Sequence, residues 1–140
     1  MLDTTVDIYC RKALDDQLEQ PINRNTLNEQ EQVCRAYCEQ HGLTVGMVFR
    51  EIGTAYQYRE RPRLSQMRQR IQSGDIQSVV VTAIDRLSKN QIHLIILLEE
   101  MDQHHVTLLS VSEKLDETPM GRFARMMLAL MAEIKQEKAE

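Results

Sequence analysis

Arginine, tyrosine and acidic side chains recur in three short stretches whose spacing suits work on a phosphate. In "IYCRKALDDQ" (8–17), Tyr9 and Arg11 stand at the end of an apolar, β-branched run and lead into a polar loop. In "AIDRLSKN" (83–90), Asp85, Arg86 and Lys89 follow another such run, and "YRERPRL" (58–64) delivers Arg61 just before a helical period. Residues that leave parallel strands at their C-terminal ends share one edge of the sheet, the edge where open α/β sheets bind ligands. Arginines gathered there suit a phosphate, because the guanidinium fork pairs with two oxygens and keeps its charge. Phosphoryl transfer calls for an electrostatic clamp of this kind. Taken singly, an arginine is more often a solvated surface residue, and an Asp–Arg pair is more often a structural ion pair. Their shared position at strand ends is what favours the functional reading.

The elements that must position these residues follow from the hydrophobic pattern. The runs "VDIYC" (6–10), "VGMVF" (45–49), "SVVVTAI" (78–84) and "VTLLSV" (106–111) read as short strands. Helical periods occupy 26–41, 63–73, 91–104 and 119–138, the first two stopping at Gly42 and Gly74, where a left-handed cap is favoured. Strands separated by helices predict an α/β fold with a mostly parallel central sheet of about four to five strands flanked by helices. The third run is the most continuously apolar and is expected at the centre of the sheet.

The last helix carries more apolar surface than one domain can cover. Met120, Phe123, Met127, Leu130, Met131 and Ile134 form a stripe, broadened by Met126, Leu128 and Ala129. Packing on the chain's own sheet is the simpler account of that stripe. A subunit interface is the sharper one, favoured by methionine, which adapts to more than one packing.

Composition sets the outer bounds. With 140 residues and 42% hydrophobic content, the chain can build one compact core. The net charge of -4 gives no whole-chain signal for nucleic acid, so such binding must come from local clusters, and arginine is clustered at Arg59, Arg61, Arg63, Arg68 and Arg70. Cys10, Cys34 and Cys38 leave one thiol over in any disulfide scheme, and no leader-like stretch precedes the first strand; a reducing cytoplasm is the expected setting. Cys34 and Cys38 lie one helical turn apart without partners for a zinc site, so they read as buried packing. No stretch reaches the ~18 apolar residues of a membrane span, and no membrane association is expected.

These motifs resemble the serine recombinases, the group of resolvases, invertases and large serine integrases. "YCRKALDDQ" is similar to the family's Y-C-R-V-S-T-x-D-Q, "TLNEQ" (26–30) to S-L-x-x-Q, "RP" (61–62) to D-R-P, and "DRLSKN" to D-R-L-S-R-N. "TPMGRFARMMLALMAE" looks like the segment that opens the family's long oligomerisation helix. Any one motif is weak, but five in order are strong, and they cover essentially the whole chain. The resemblance implies a catalytic α/β unit over 1–118, the start of the oligomerisation helix over 119–140, and a DNA-binding domain that this stretch lacks. It also implies DNA as partner, a homodimer or homotetramer through the C-terminal helix, and a serine hydroxyl that attacks a phosphodiester to leave a 5′-phosphoserine. No metal, ATP or other cofactor is expected. By position, Arg11, Arg61 and Arg86 would hold the scissile phosphate, Asp85 would orient an arginine, and Tyr9, Gln17 and Gln30 would complete the pocket. Glu51 takes the place of an acid in the family's D-x-x-x-S-G loop, and Lys89 that of a phosphate-binding arginine.

The same alignment places Ala13 where the attacking serine should be. A methyl group cannot attack phosphorus, so the chain as written is expected to position a phosphate without cleaving it. Further departures are Lys89 for Arg, which loses the bidentate fork, Ala55 for Ser beside Thr54, and Lys135 and Gln136 for an acid and an arginine. Scattered drift of this kind fits a natural pseudo-recombinase that partners or regulates an active enzyme. An isolated change at residue 13 would fit an engineered inactive form. Ser88 and Ser112 are the nearby hydroxyls that a displaced nucleophile would use, against the demands of near-attack geometry. A generic phosphate-binding α/β domain would explain the arginines but not the five ordered motifs.

Overall fold

The structure is a computed structural model that describes residues 4–12, 26–52, 61–114 and 119–139. Ala13, Gln17, Thr54, Ala55 and Arg59 lie outside the described residues, as does the side chain of Met120. Strands β1 (Thr5–Lys12), β2 (Thr44–Ile52), β3 (Ser78–Val81) and β4 (Thr107–Ser110) form one parallel sheet in the order β2-β1-β3-β4. Parallel neighbours need crossovers, and helices supply them: α1 (Leu27–Gln40) between β1 and β2, α2 (Pro62–Ser73) between β2 and β3, and α4 (Gln91–Gln103) between β3 and β4. A four-residue helix, α3 (Ile84–Leu87), precedes α4, and α5 (Pro119–Ala139) follows β4.

Alternation along the strands sorts side chains between two cores. On one face, Val6, Ile8, Cys10 and Val80 pack with Cys34 and Cys38 of α1. On the other, Tyr9, Val79 and Val81 pack with Leu64, Met67 and Ile71 of α2 and with Leu94, Leu97, Leu98 and Met101 of α4. The three cysteines are free and buried, which for Cys34 and Cys38 is the expected packing. Local signals set the helix ends: Thr26 Oγ1 accepts from the Glu29 N–H at 3.1 Å, and Gly74 closes α2 at φ 80°.

One expectation needs correction. The apolar run 78–84 does not continue as a strand, because β3 ends at Val81 and Ile84 begins α3. Val79, Val80 and Val81 are buried consecutively between the two helical layers, whereas Ile84 and Leu87 are buried at helical spacing. β3 is internal, as expected, and so is β1. Strand order reverses between them, which makes the C-terminal ends of β1 and β3 the topological switch point.

Helix α5 rests on α4 through small residues. Gly121 and Ala124 are buried against the domain, Leu128 packs on the core, and Arg125 and Lys135 pair with Asp102 and Glu99 of α4. Phe123, Leu130 and Ile134 are exposed by 42%, 48% and 44%, and Met127 and Met131 are half-buried. Most of the stripe read from the sequence therefore faces away from the chain's own sheet.

Candidate phosphate-binding site

The switch point holds three arginines. Period-two alternation puts Tyr9 and Arg11 of β1 on the α2/α4 face, and both are buried. Arg61 is the N-cap residue of α2, where Pro62 at the first helical position fixes the entry of the chain. Arg86 belongs to α3, beyond the end of β3.

Backbone carbonyls of α3 draw these side chains together. Arg11 Nε and Arg61 Nη2 both donate to the carbonyl of Arg86, at 3.1 and 3.2 Å, and Arg11 Nη2 donates to the carbonyl of Asp85 at 3.2 Å. Arg86 Nη1 donates in return to the Arg11 carbonyl at 3.2 Å. The last turn of a helix offers such unpaired carbonyls, and its dipole favours cations there.

Tyr9 and Glu51 fix Arg61 from the opposite side. Tyr9 Oη donates to Glu51 Oε1 at 2.9 Å and accepts from Arg61 Nε and Nη2 at 3.0 and 2.6 Å. Glu51 also accepts from the N–H groups of Arg63 and Leu64 at 2.9 and 3.0 Å, which supplies the N-terminus of α2 with the side-chain cap that Arg61 does not provide. Gln30 of α1 brackets the backbone of Arg11 from the remaining side.

The electrostatics of the cluster favour an anion. Arg61 is fully buried, 3.9 Å from the carboxylate of Glu51, yet its Nη1 has no hydrogen-bond partner among the described residues. Burial first, then the like charges of Arg61 and Arg86, pull the pKa of Arg11 below the ordinary guanidinium value. Burial pushes the Tyr9 phenol up, so it stays protonated and keeps donating to Glu51. Leaving a buried guanidinium N–H unsatisfied is costly, and a phosphate oxygen is the kind of acceptor that would relieve it.

Other sequence candidates sit differently. The Asp85 carboxylate is half-exposed and only 3.9 Å from Arg86 Nε, so Asp85 meets Arg11 through its carbonyl instead. Lys89 is exposed and forms no hydrogen bond or ion pair with a described residue. Ser88 is buried, with its hydroxyl donating to the carbonyl of Asn90 and accepting from its N–H, both at 3.0 Å, and is unsuited to replace a nucleophile. The arginine run of α2 does not make a basic patch: Arg68 pairs with Glu100 and Arg70 with Asp7, at 2.7 and 2.6 Å. Among the described residues no group of three or more His, Cys, Asp or Glu side chains is placed to hold a metal ion, and no helix is long and apolar enough to cross a membrane. Sequence reasoning missed Glu113, whose Oε1 accepts from the Ile84 N–H at 2.8 Å at the start of α3. A lone glutamate outside every motif carries no sequence signal.

Known proteins carry the same arrangement of elements. The model of the resolvase N-terminal domain family matches residues 6–140. A DNA-invertase of Escherichia phage P1 is 34% identical over 79 residues, 56% of this chain and 41% of the relative. The transposon Tn917 resolvase of Enterococcus faecalis is 35% identical over 80 residues, 56% of this chain and 42% of the relative. The chain thus spans about two fifths of the length of the curated relatives it matches. The N-terminal catalytic domain of TP901-1 integrase shares the fold with a TM-score of 0.74 at 22% identity, over 98% of this chain and 100% of that one. A resolvase family site-specific recombinase from Streptococcus pneumoniae does so with a TM-score of 0.67 at 17% identity, over 98% and 91%. The chain belongs to the resolvase N-terminal domain family, whose model spans nearly all of it.

Proposed function

We propose that this domain receives the scissile phosphodiester of a site-specific DNA recombination reaction in the arginine cluster at the switch point, and that Ala13 leaves the received phosphate uncleaved. The observation that carries the reading is the convergence of Arg11 and Arg61 on the carbonyls at the end of α3, with Arg86 bonded back to the Arg11 carbonyl and Arg61 Nη1 buried and unpartnered. In this scheme Arg11, Arg61 and Arg86 neutralise the phosphate, while Tyr9 and Glu51 set the position of Arg61 and Gln30 that of Arg11. Gln17 would complete the pocket, and Lys89 would meet the DNA backbone from its exposed position. Residues 1–118 act as the catalytic unit. The helix from 119 joins copies into a homodimer or homotetramer through Met120, Phe123, Met127, Leu130, Met131 and Ile134.

The test restores the missing atom. Ala13→Ser, joined to a related DNA-binding region, is incubated with a supercoiled plasmid carrying the cognate site, with the Ala13 form as control. A covalent protein–DNA adduct from the serine form alone is expected. No adduct from either form, when both fold and bind, would overturn the competent-clamp reading and leave a pseudo-recombinase that works through an active partner.

A further inference from the structure

We infer that Glu113 is a positioning residue for the arginine cluster, acting through α3 although it touches none of the three guanidinium groups. Helix α3 has four residues, too few to hold itself against the cost of nucleation. Its N-cap residue, Ala83, has no side chain that can accept from the first turn. Glu113 supplies that acceptor from another part of the chain, through the 2.8 Å bond to the Ile84 N–H. Its own placement is well determined, because the pairing of β3 and β4 continues past both strands: Val111 and Ser112 donate to the carbonyls of Val81 and Thr82, each at 2.9 Å. Glu113 follows directly and arrives beside the start of α3.

The far end of α3 is where the site is held. The carbonyls of Asp85 and Arg86 carry three hydrogen bonds from Arg11 and Arg61. A rigid segment only one turn long thus has Glu113 at its N-terminus and two guanidinium groups at its C-terminus. If the anchor is lost, α3 shifts, and Arg11 and Arg61 lose the Arg86 carbonyl they share while remaining buried near one another. The inference takes its functional meaning from the phosphate-clamp reading, but its geometry stands without it.

The experiment reads the arginines directly. Exchange of the Nε–H protons of Arg11, which donates to the Arg86 carbonyl, and of Arg70 with water is followed by 15N–1H NMR in the unaltered chain and in Glu113→Ala, Glu113→Asp and Glu113→Gln. Arg70 is the internal control, since its Nε is bonded to Asp7 and it lies on α2. In Glu113→Ala, exchange at Arg11 Nε is expected to speed up about tenfold, the scale of a lost buried hydrogen bond from a charged donor, with Arg70 unchanged. Glu113→Gln keeps an acceptor of the same reach and is expected to stay within about twofold of the parent. Glu113→Asp, a milder change that shortens the arm, is expected to follow Ala and decides the matter if the alanine form also loosens Arg70. Unchanged exchange at Arg11 in a folded Ala or Asp variant would overturn the inference, as would loss in Gln with retention in Asp. Titration of the unaltered chain with inorganic phosphate separates the two claims: no binding there with the expected exchange pattern sinks the clamp reading alone.

Discussion

Gln30 forms a two-bond bridge with the backbone of Arg11: the Arg11 N–H donates to Gln30 Oε1 at 3.0 Å, and Gln30 Nε2 donates to the Arg11 carbonyl at 2.9 Å. A side-chain amide here takes the part of a strand neighbour. The bridge ties α1 to the end of β1 at the residue that enters the arginine cluster. Replacing Gln30 by Ala strips the buried Arg11 N–H of its acceptor and leaves the carbonyl with Arg86. A loss of about 2 kcal/mol or more in unfolding free energy is expected from urea titration. A loss below about 0.5 kcal/mol would mean that solvent takes over both groups.

Gly46 is expected to resist any side chain. A Cβ at this position would lie 2.9 Å from both Arg70 Nη2 and Asp7 Oδ1. Arg70 can swing aside, but Asp7 is fully buried and also accepts from the Met47 N–H at 2.8 Å where the register of β1 and β2 shifts. Gly46→Ala should therefore cost about 1–3 kcal/mol through overpacking. In a double-mutant cycle with Arg70→Ala the two effects should fall short of additive, since the second change removes one of the two clashes. Strict additivity would place the strain elsewhere.

The three thiols should be silent in the native protein. Burial pushes Cys10 up to about 12 and also raises Cys34 and Cys38 above the ordinary value of 9.0. At pH 8 a thiol reagent should modify none of them until the chain unfolds in urea, and then all three. The linkage has a definite sign. An acid whose folded pKa lies above its unfolded one contributes its full stabilisation below the unfolded value. That contribution drains away as pH rises from about 9 towards the folded value. Stability should thus decline across the alkaline range, and Cys10→Ala should flatten the slope, whatever it costs in packing. Rapid labelling of the folded chain at pH 8 would contradict the burial.

How much of this was legible in the sequence depends on the range of the interaction concerned. Strands and helix ends rest on local signals, and Gly42, Gly74 and the β-branched runs placed them to within three residues, with β2 running on to Ile52 and the expected strand giving way to α3 beyond Val81. There, a bond from Glu113, distant in sequence, favours a helical turn over further strand. Arg11, Arg61 and Arg86 could be assigned to one sheet edge because a parallel α/β pattern fixes which strand ends come together. The pairing of Arg68 and Arg70 with Glu100 and Asp7 could not, because residues 32 and 63 positions apart in sequence meet only in the fold. The stripe on α5 was legible as apolar, but its direction was not. Gly121 and Ala124 bring the helix close to the domain and turn the larger residues outward.

That outward face yields the last expectation. Phe123, Met127, Leu130 and Ile134 recur at spacings of four and three residues, which places them along one side of α5. Exposed apolar stripes of this length are rarely left to water, and a second copy offering the same stripe would cover them in a helix-to-helix dimer. The unaltered chain is expected to run as a dimer in sedimentation velocity, and Leu130→Asp to weaken self-association at least tenfold, roughly the effect of one central interface residue. Because Leu130 is nearly half-exposed, its replacement should leave the thermal unfolding of the domain within a few degrees of the parent. A monomeric mass for the unaltered chain at high concentration would sink the dimer. A marked fall in melting temperature for Leu130→Asp under monomeric conditions would instead show that the stripe folds back on its own domain.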